Sequence, residues 1–350
     1  MVSILSLLSL TSSLLSIFLN LAVIWIVITY SCKIGGYKWV LVGYSSYEIF
    51  SALIVITVAP IHFIYDNTWI IFSGSAFVEG TKLAVYGTGF YCSVMLIWLI
   101  ITLFLFTYRY LAVCQSKHLK AFCNNSILKT ILFTLIGILL TYYLFCGIFF
   151  CRQAEISPIM KEQLLIHYNI TDINCHGYML MRMVNNDGSY SVFGTLATGN
   201  HFLAGSTSIV VVLFCSTSIY LKFKTHTQGV KVVENIRRQK KLFRLLLVQS
   251  AVPLLSFTLP GTLYITFPLW NSQTTFGYSA PMLTILMSLP KFIDPIATVL
   301  LVSEYRNAVR GLLFGQKVSL GGLVIPARPS GSSISRPQNI SEMKNRPISA

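Results

Sequence analysis

Seven stretches of this chain are long and apolar enough to cross a bilayer, and no other feature limits its fold as strongly. A membrane helix needs roughly 20 apolar residues to span a hydrocarbon core about 30 Å thick. Such runs are read at Ile4–Tyr30, Trp39–Tyr65, Leu83–Val113, Ile127–Phe150, Val192–Leu221, Leu245–Trp270 and Tyr278–Val302. Backbone polar groups in lipid must be satisfied within the segment, so each run is expected to be a helix. Composition agrees, with 54% apolar and only 11% charged residues in 350 and a mean hydropathy of +0.69, where a soluble domain carries roughly 25% charged residues. The expected fold class is all-α, a polytopic bundle of seven membrane helices over residues 1–315. A short membrane-surface helix is expected near 304–314, followed by a Ser-, Pro- and Arg-rich tail, 316–350, without fixed structure. The remainders at 151–191 and 303–350 are too short for a hidden catalytic domain, so no enzyme activity, cofactor or metal is expected. The first run lacks a basic leader and is too long for a signal-peptide core, so it is expected to stay as helix one.

Charge sets the orientation. Of 26 Lys and Arg, 21 fall on one side of a seven-span topology, including Lys222 to Arg244 between spans five and six and the tail from Arg306 to Arg346. The opposite segments hold Lys82, Arg152, Lys161 and Arg182, outnumbered by Asp66, Glu79, Glu155, Glu162, Asp172 and Asp187. Cytoplasmic loops are the basic ones, so the N-terminus is expected outside and the tail inside. The net charge of +15 is thereby assigned to cytoplasmic loops and lipid headgroups rather than to nucleic acid. The Asn169-Ile170-Thr171 sequon then lies outside, where N-glycosylation of Asn169 is expected. Of eight cysteines, only Cys151 and Cys175 are expected in the oxidising space, where a disulfide between them would close the long loop.

Ionisable groups inside the spans carry the functional signal, because each is costly in lipid unless paired or hydrated. Glu48 in span two and Lys291 and Asp294 in span seven stand out. Lys291 and Asp294 share a helical face, and an interior network with Glu48 is expected. Two readings stay open for it: a polar lock holding the helices in register, or a switch between two arrangements. A retinal Schiff base on Lys291 is disfavoured, because Lys291 lies three residues before Asp294-Pro295, whereas the lysine of opsins sits two helical turns before an Asn-Pro. Pro253 and Pro260 are expected to kink span six.

A mostly apolar pocket with a few polar handles suits a small organic ligand. The outer halves of the spans offer one, and the candidates are Tyr91, Met95, Trp98, Asn200, His201, Ser206, Phe257, Tyr264 and Met282. At the inner face, Arg109 and Tyr110 close span three, and Arg238, Lys240 and Lys241 lie on a charged extension of span six. This surface suits anionic lipid or an acidic cytoplasmic partner. A secondary transporter using Glu48, Lys291 and Asp294 as a coupling site is the alternative; transporters often show internal repeats, and none is seen here.

Several joint features give the chain a family likeness: Ile34-Gly35-Gly36-Tyr37-Lys38-Trp39 with Tyr47-Glu48-Ile49-Phe50; Tyr108-Arg109-Tyr110; Lys240-Lys241-Leu242-Phe243 through Val248-Gln249 to Val252-Pro253; and Ile293-Asp294-Pro295-Ile296 with Glu304-Tyr305-Arg306. Over about residues 10–312 the chain resembles the nematode serpentine chemoreceptors of class r (Str), with class j close to them. The resemblance implies a G-protein-coupled chemosensory receptor in the plasma membrane of a sensory cilium, with a small organic ligand and a heterotrimeric G protein as partners. It also implies coupling through Arg109, Tyr110, Arg238, Lys240 and Lys241. Tyr108 stands where rhodopsin-like receptors have Asp, Ala84 where they have the helix-three cysteine, and Asp294-Pro295 where they have Asn-Pro. Their disulfide and switch details are not carried over.

Overall fold

The computed structural model describes residues 2–30, 37–65, 68–115, 156–182, 184–185, 188–225, 279–314, 318–320 and 323–325, with shorter pieces between 117 and 142 and between 243 and 260. Its helices are α1 (Val2–Tyr30), α2 (Tyr37–Val58), α3 (Lys82–Cys114), α4 (Pro158–Tyr168), α5 (Val192–Thr225), α6 (Ser279–Leu301) and α7 (Ser303–Phe314). Five of the seven expected membrane helices are therefore described as α1, α2, α3, α5 and α6. Spans four and six are described in fragments. A π-helical turn at Leu254–Thr258 falls between Pro253 and Pro260, where a missing N–H disrupts the regular ladder. Contacts divide the chain into Met1–Arg306 and Asn307–Ala350. In the second unit, within the stretch expected to form an unstructured tail, Val318–Leu320 pairs antiparallel with Leu323–Ile325 across Gly321-Gly322, a strong hairpin-turn signal.

The fold is mostly helical rather than all-α, because the chain outside the bundle builds a sheet. Span two was expected to run to Tyr65 but its helix ends at Val58. Pro60 disfavours helical backbone in the residue before it, and Ala59 takes a positive φ of 44°. The chain then turns into β1 (Pro60–Tyr65) and returns as β2 (Thr68–Ser73), pairing Ile61 with Phe72 and Phe63 with Ile70. The return strand satisfies the helix end it leaves. Ser73 Oγ donates to the Val58 carbonyl at 2.7 Å and the Gly74 N–H to that of Ala59 at 3.0 Å, two groups a bare helix end leaves open. The long loop before α5 supplies β3 (Tyr178–Arg182), which pairs with β2, Ile70 opposite Leu180.

Alternation gives this sheet two buried faces. Ile61, Phe63, Ile70, Phe72, Tyr178 and Leu180 point to one side and form a core with Met160, Leu164 and Tyr168 of α4. Helix α4 starts where Ser157 accepts from the Met160 N–H with Pro158 at its first turn, and ends at Asn169 in the left-handed region, cap chemistry at both ends. His62, Trp69, Ile71, Met179 and Met181 alternate onto the other side, against the bundle.

The loop reaches α3 at Gly177. Its φ is +57°, and a Cβ there would sit 2.4 Å from the Ala84 carbonyl carbon and the Val85 nitrogen. Thr88 Oγ1 donates to the Gly177 carbonyl at 3.1 Å. Backbone packed on backbone thus makes a loop-to-helix tie at Ala84. Nearby Cys175 is a free thiol, and Cys151 lies outside the described residues.

Candidate functional site

Buried polar groups of α1, α2 and α6 meet in one seam. Ser13, Ser16 and Asn20 recur at helical spacing on α1, Tyr44, Glu48 and Ser51 on α2, and Lys291, Asp294 and Thr298 on α6, all buried. The seam starts from a backbone fact. Pro295 has no N–H, so the Lys291 carbonyl four residues earlier loses its helical partner. Ser16 Oγ donates to that carbonyl at 2.9 Å and Asn20 Nδ2 at 3.3 Å, while Asn20 Nδ2 also donates to the Ser16 carbonyl at 3.0 Å. A proline in lipid is tolerated when neighbours re-satisfy the freed group in this way.

The three ionisable residues singled out from the sequence come together here. Glu48 is 2% exposed, Lys291 5% and Asp294 1%. The Tyr44 hydroxyl donates to Asp294 Oδ2, and Thr298 Oγ1 donates to the Asp294 carbonyl at 2.8 Å. Glu48 sits among the Tyr44 hydroxyl, the Trp98 indole and the opposite charge of Lys291. One oxygen of each carboxylate, Glu48 Oε1 and Asp294 Oδ1, has no hydrogen-bond partner among the described residues. Ser16, Asn20 and Tyr44 were missed from the sequence. Tyr44 lies one turn before Glu48, the signal that would have found it.

Of the ligand-pocket candidates, Tyr91, Met95 and Trp98 form one stripe on α3. Met95 and Trp98 pack with Tyr47, Trp69, Leu99 and Ala204, and Tyr91 with Val55, Ile71 and Cys92. A cavity of about 50 Å³ lies beneath, lined by Trp98, Leu99 and Thr102 of α3, Ser208 and Val212 of α5, and Leu254. That is about a third of the roughly 150 Å³ that admits benzene in an engineered core. The other candidates are placed differently. Asn200 accepts from Tyr142 of the fourth span at 3.4 Å. His201 and Ser206 are half-buried. The α5 serine that meets α3 is Ser208, whose Oγ donates to the Leu99 carbonyl at 3.1 Å; it shares its face with buried Ala204 and Cys215, and Ser206, two residues back, points elsewhere. Tyr264 lies outside the described residues, as do the side chains of Phe257 and Met282.

The sheet supplies residues to the same place. His62 Nε2 lies 3.2 Å from the Tyr91 hydroxyl, and its ring is 5.5 Å from that of Trp69. Burial pushes the His62 imidazole down to about 3, so it is neutral at ordinary pH.

Near the C-terminal end of α3, Arg109 is only 2% exposed. Tyr110 packs on Phe214, ring centroids 5.6 Å apart, and borders a cluster of Ile219, Phe223 and Phe243 that joins α5 to the start of span six. Arg238, Lys240 and Lys241 lie outside the described residues. Near the loop surface, Asn169 is exposed at the end of α4. The Asn174 N–H donates to Asp172 and holds its carboxyl below the usual range, and that carboxylate in turn raises the Cys175 thiol donating to it at 3.5 Å.

Four described helices are long and apolar enough to cross a membrane: Ser6–Tyr30, Lys38–Val58, Lys82–Cys114 and Val192–Thr225. The family model of the serpentine-type 7TM GPCR chemoreceptor Str matches residues 5–310. Serpentine receptor class r-10 of Caenorhabditis elegans is 24% identical over 87% of this chain and 90% of its own length, and its Caenorhabditis briggsae namesake is 22% identical over 83% and 84%. The G-protein coupled receptor str-217 of C. elegans is 23% identical over 84% of this chain and 86% of its own. The chain is a multi-pass membrane protein and belongs to the Str family of serpentine seven-transmembrane G-protein-coupled chemoreceptors.

Proposed function

We infer that this chain is a chemosensory receptor that takes a small organic cue from outside and activates a heterotrimeric G protein. The observation that carries the reading is the family match across residues 5–310, joined to buried polar groups that tie α1, α2 and α6 together. Its N-terminus lies outside and its tail in the cytoplasm, a topology supported by 21 of 26 basic residues falling on one side. It works at the plasma membrane of a sensory cilium. The ligand enters near Tyr91, Met95 and Trp98, and Arg109, Tyr110, Arg238, Lys240 and Lys241 meet the G protein once the inner ends of α3, α5 and span six separate. Burial of Arg109 is the reason that separation is required. A ligand shifts such an equilibrium only by its differential affinity for the two arrangements, about 1.4 kcal/mol per tenfold. No relative named above is a transporter, and the transport reading has no support.

The test is G-protein signalling in cells expressing the chain during a screen of volatile and soluble small organics, beside an Arg109→Ala control at equal surface level. The expected result is a response to some compounds that the control loses. A response retained in full by Arg109→Ala would remove that residue from coupling, and silence at confirmed surface expression would count against the receptor reading.

A further inference from the structure

The underside of the outer sheet carries hydrogen-bonding capacity that nothing described uses. His62 is 1% exposed, and while its Nε2 meets the Tyr91 hydroxyl, its Nδ1 has no partner among the described residues. The Trp69 indole Nε1–H, on the neighbouring strand, has none either. Leaving such groups unpaired in a dry interior is costly, and here both belong to the same small patch. The patch lies directly over the α3 stripe that the sequence alone marks as a ligand wall, since Trp69 packs on Met95 and Tyr91 within that stripe. The rest of its surroundings are polarisable and adaptable. Met181 reaches toward α5, with the Thr198 hydroxyl 3.8 Å from its sulfur, and Tyr47 closes the side toward α2. Thioethers and aromatic rings of this kind fit varied apolar shapes.

We propose that this underside is the polar half of the ligand site, with His62 and Trp69 hydrogen-bonding the polar group of a small neutral molecule whose apolar body rests on Met95, Met181 and Tyr47. The recognition residues therefore come from the loop after α2 as well as from the helices. Neutrality follows from the setting. None of the strand residues facing this side is Asp, Glu, Lys or Arg, and Glu48 of the seam has Tyr44, Trp98 and the opposite charge of Lys291 around it. The Trp69 indole can only donate, while the Nδ1 of a neutral imidazole donates in one tautomer and accepts in the other, so the ligand must supply at least one acceptor.

The inference rests on the receptor reading above, and its test separates the two. In full-length receptor on a Cys92→Ala background, Met95→Cys is exposed from outside to neutral benzyl methanethiosulfonate and to the cationic trimethylammonioethyl and anionic sulfonatoethyl reagents. The neutral probe is expected to label roughly tenfold faster or more, since an unpaired charge is excluded from such a site. No labelling, or equal rates for all three, overturns the proposal whatever the signalling screen gives. For agonists from the screen, Trp69→Phe is expected to raise the half-maximal concentration about tenfold at unchanged surface level, the scale of one lost hydrogen bond, and His62→Phe to do the same. Agonists indifferent to both variants, or agonists that are all amines or carboxylates, overturn the proposal and leave the receptor standing. A silent screen beside selective neutral labelling fails the receptor reading instead.

Discussion

Replacing Gly177 by Ala tests whether the three-stranded sheet is held on the bundle by backbone packing. A left-handed residue with a Cβ costs about 1–2 kcal/mol, and Gly177 has φ +57°. The added methyl would also stand 2.4 Å from two backbone atoms of Ala84 and Val85, neither of which is a flexible side chain that can move aside. The loop must lift, and the Thr88 bond to the Gly177 carbonyl is lost with it, worth about 1 kcal/mol. Together these give about 3 kcal/mol against the docked sheet. Amides of Tyr178–Arg182 should then exchange on the order of a hundredfold faster, at 1.4 kcal/mol per factor of ten. Hydrogen exchange on the full-length receptor in lipid nanodiscs reads this, with amides of α1 as an internal reference. Gly188→Ala is the control, because Gly188 has φ +80° but open space around its Cβ position, so it carries backbone strain alone. If Gly177→Ala speeds β3 exchange no more than Gly188→Ala does, close packing is not what holds the sheet down.

Three further outcomes follow from the same geometry. Lys291→Met leaves Glu48 buried without its opposite charge and should cost about 3–5 kcal/mol, seen as a lower melting temperature of purified receptor; altered basal signalling at matched surface level would mark the seam as a switch, and unchanged signalling as a lock. His62 is neutral when folded, with a value near 3 against about 6.5 unfolded. The unfolded state therefore takes up the proton first, and stability should fall as pH drops below about 6.5, by about 2 kcal/mol at pH 5; His62→Phe should abolish that part of the slope in a pH series of melting curves. Asn169→Gln should remove one glycan, read as a loss of the mobility shift produced by glycosidase, and a wild-type band insensitive to the enzyme would contradict an outside location for α4.

How much was legible in advance depended on what each residue costs in lipid. Glu48, Lys291 and Asp294 were found because charge in a bilayer is expensive enough to demand a partner, and the structure brings them together. Ser16, Asn20 and Tyr44 escaped because neutral polar groups on a membrane helix are common, and their task appears only once the Lys291 carbonyl is seen to lack a donor. Helix ends for α1, α3, α5 and α6 fell within a few residues of the apolar boundaries, since length is set by bilayer thickness. The end of α2 was misread. Pro60-Ile61-His62-Phe63-Ile64-Tyr65 is buried on both faces, and a strand covered on both sides shows no alternation to separate it from a buried helix. Pro60 was the available clue. Gly177 gave none, being one of 22 glycines whose special φ emerges only from the docking of two distant segments.

Trp98 is where the three parts of the molecule touch. It packs with Met95 and Trp69 beneath the sheet, forms a wall of the cavity between α3 and α5, and presents its indole to Glu48 of the polar seam. A molecule settling under His62 and Trp69 would press on the aromatic stack that Trp98 completes, and a rotation of that ring changes the environment of Glu48. Glu48 in turn shares Tyr44 with Asp294 on α6, the helix whose Lys291 carbonyl is bonded to α1 rather than to its own next turn. At that point α6 is held by side chains of its neighbour instead of by its internal ladder, so a small change in the seam can alter its bend at less cost than anywhere along an unbroken helix. A signal from such a molecule to α6 would then pass through contacts already in place, from Trp98 to Glu48, from Glu48 to Tyr44, and from Tyr44 to Asp294 beside the carbonyl that Pro295 leaves open.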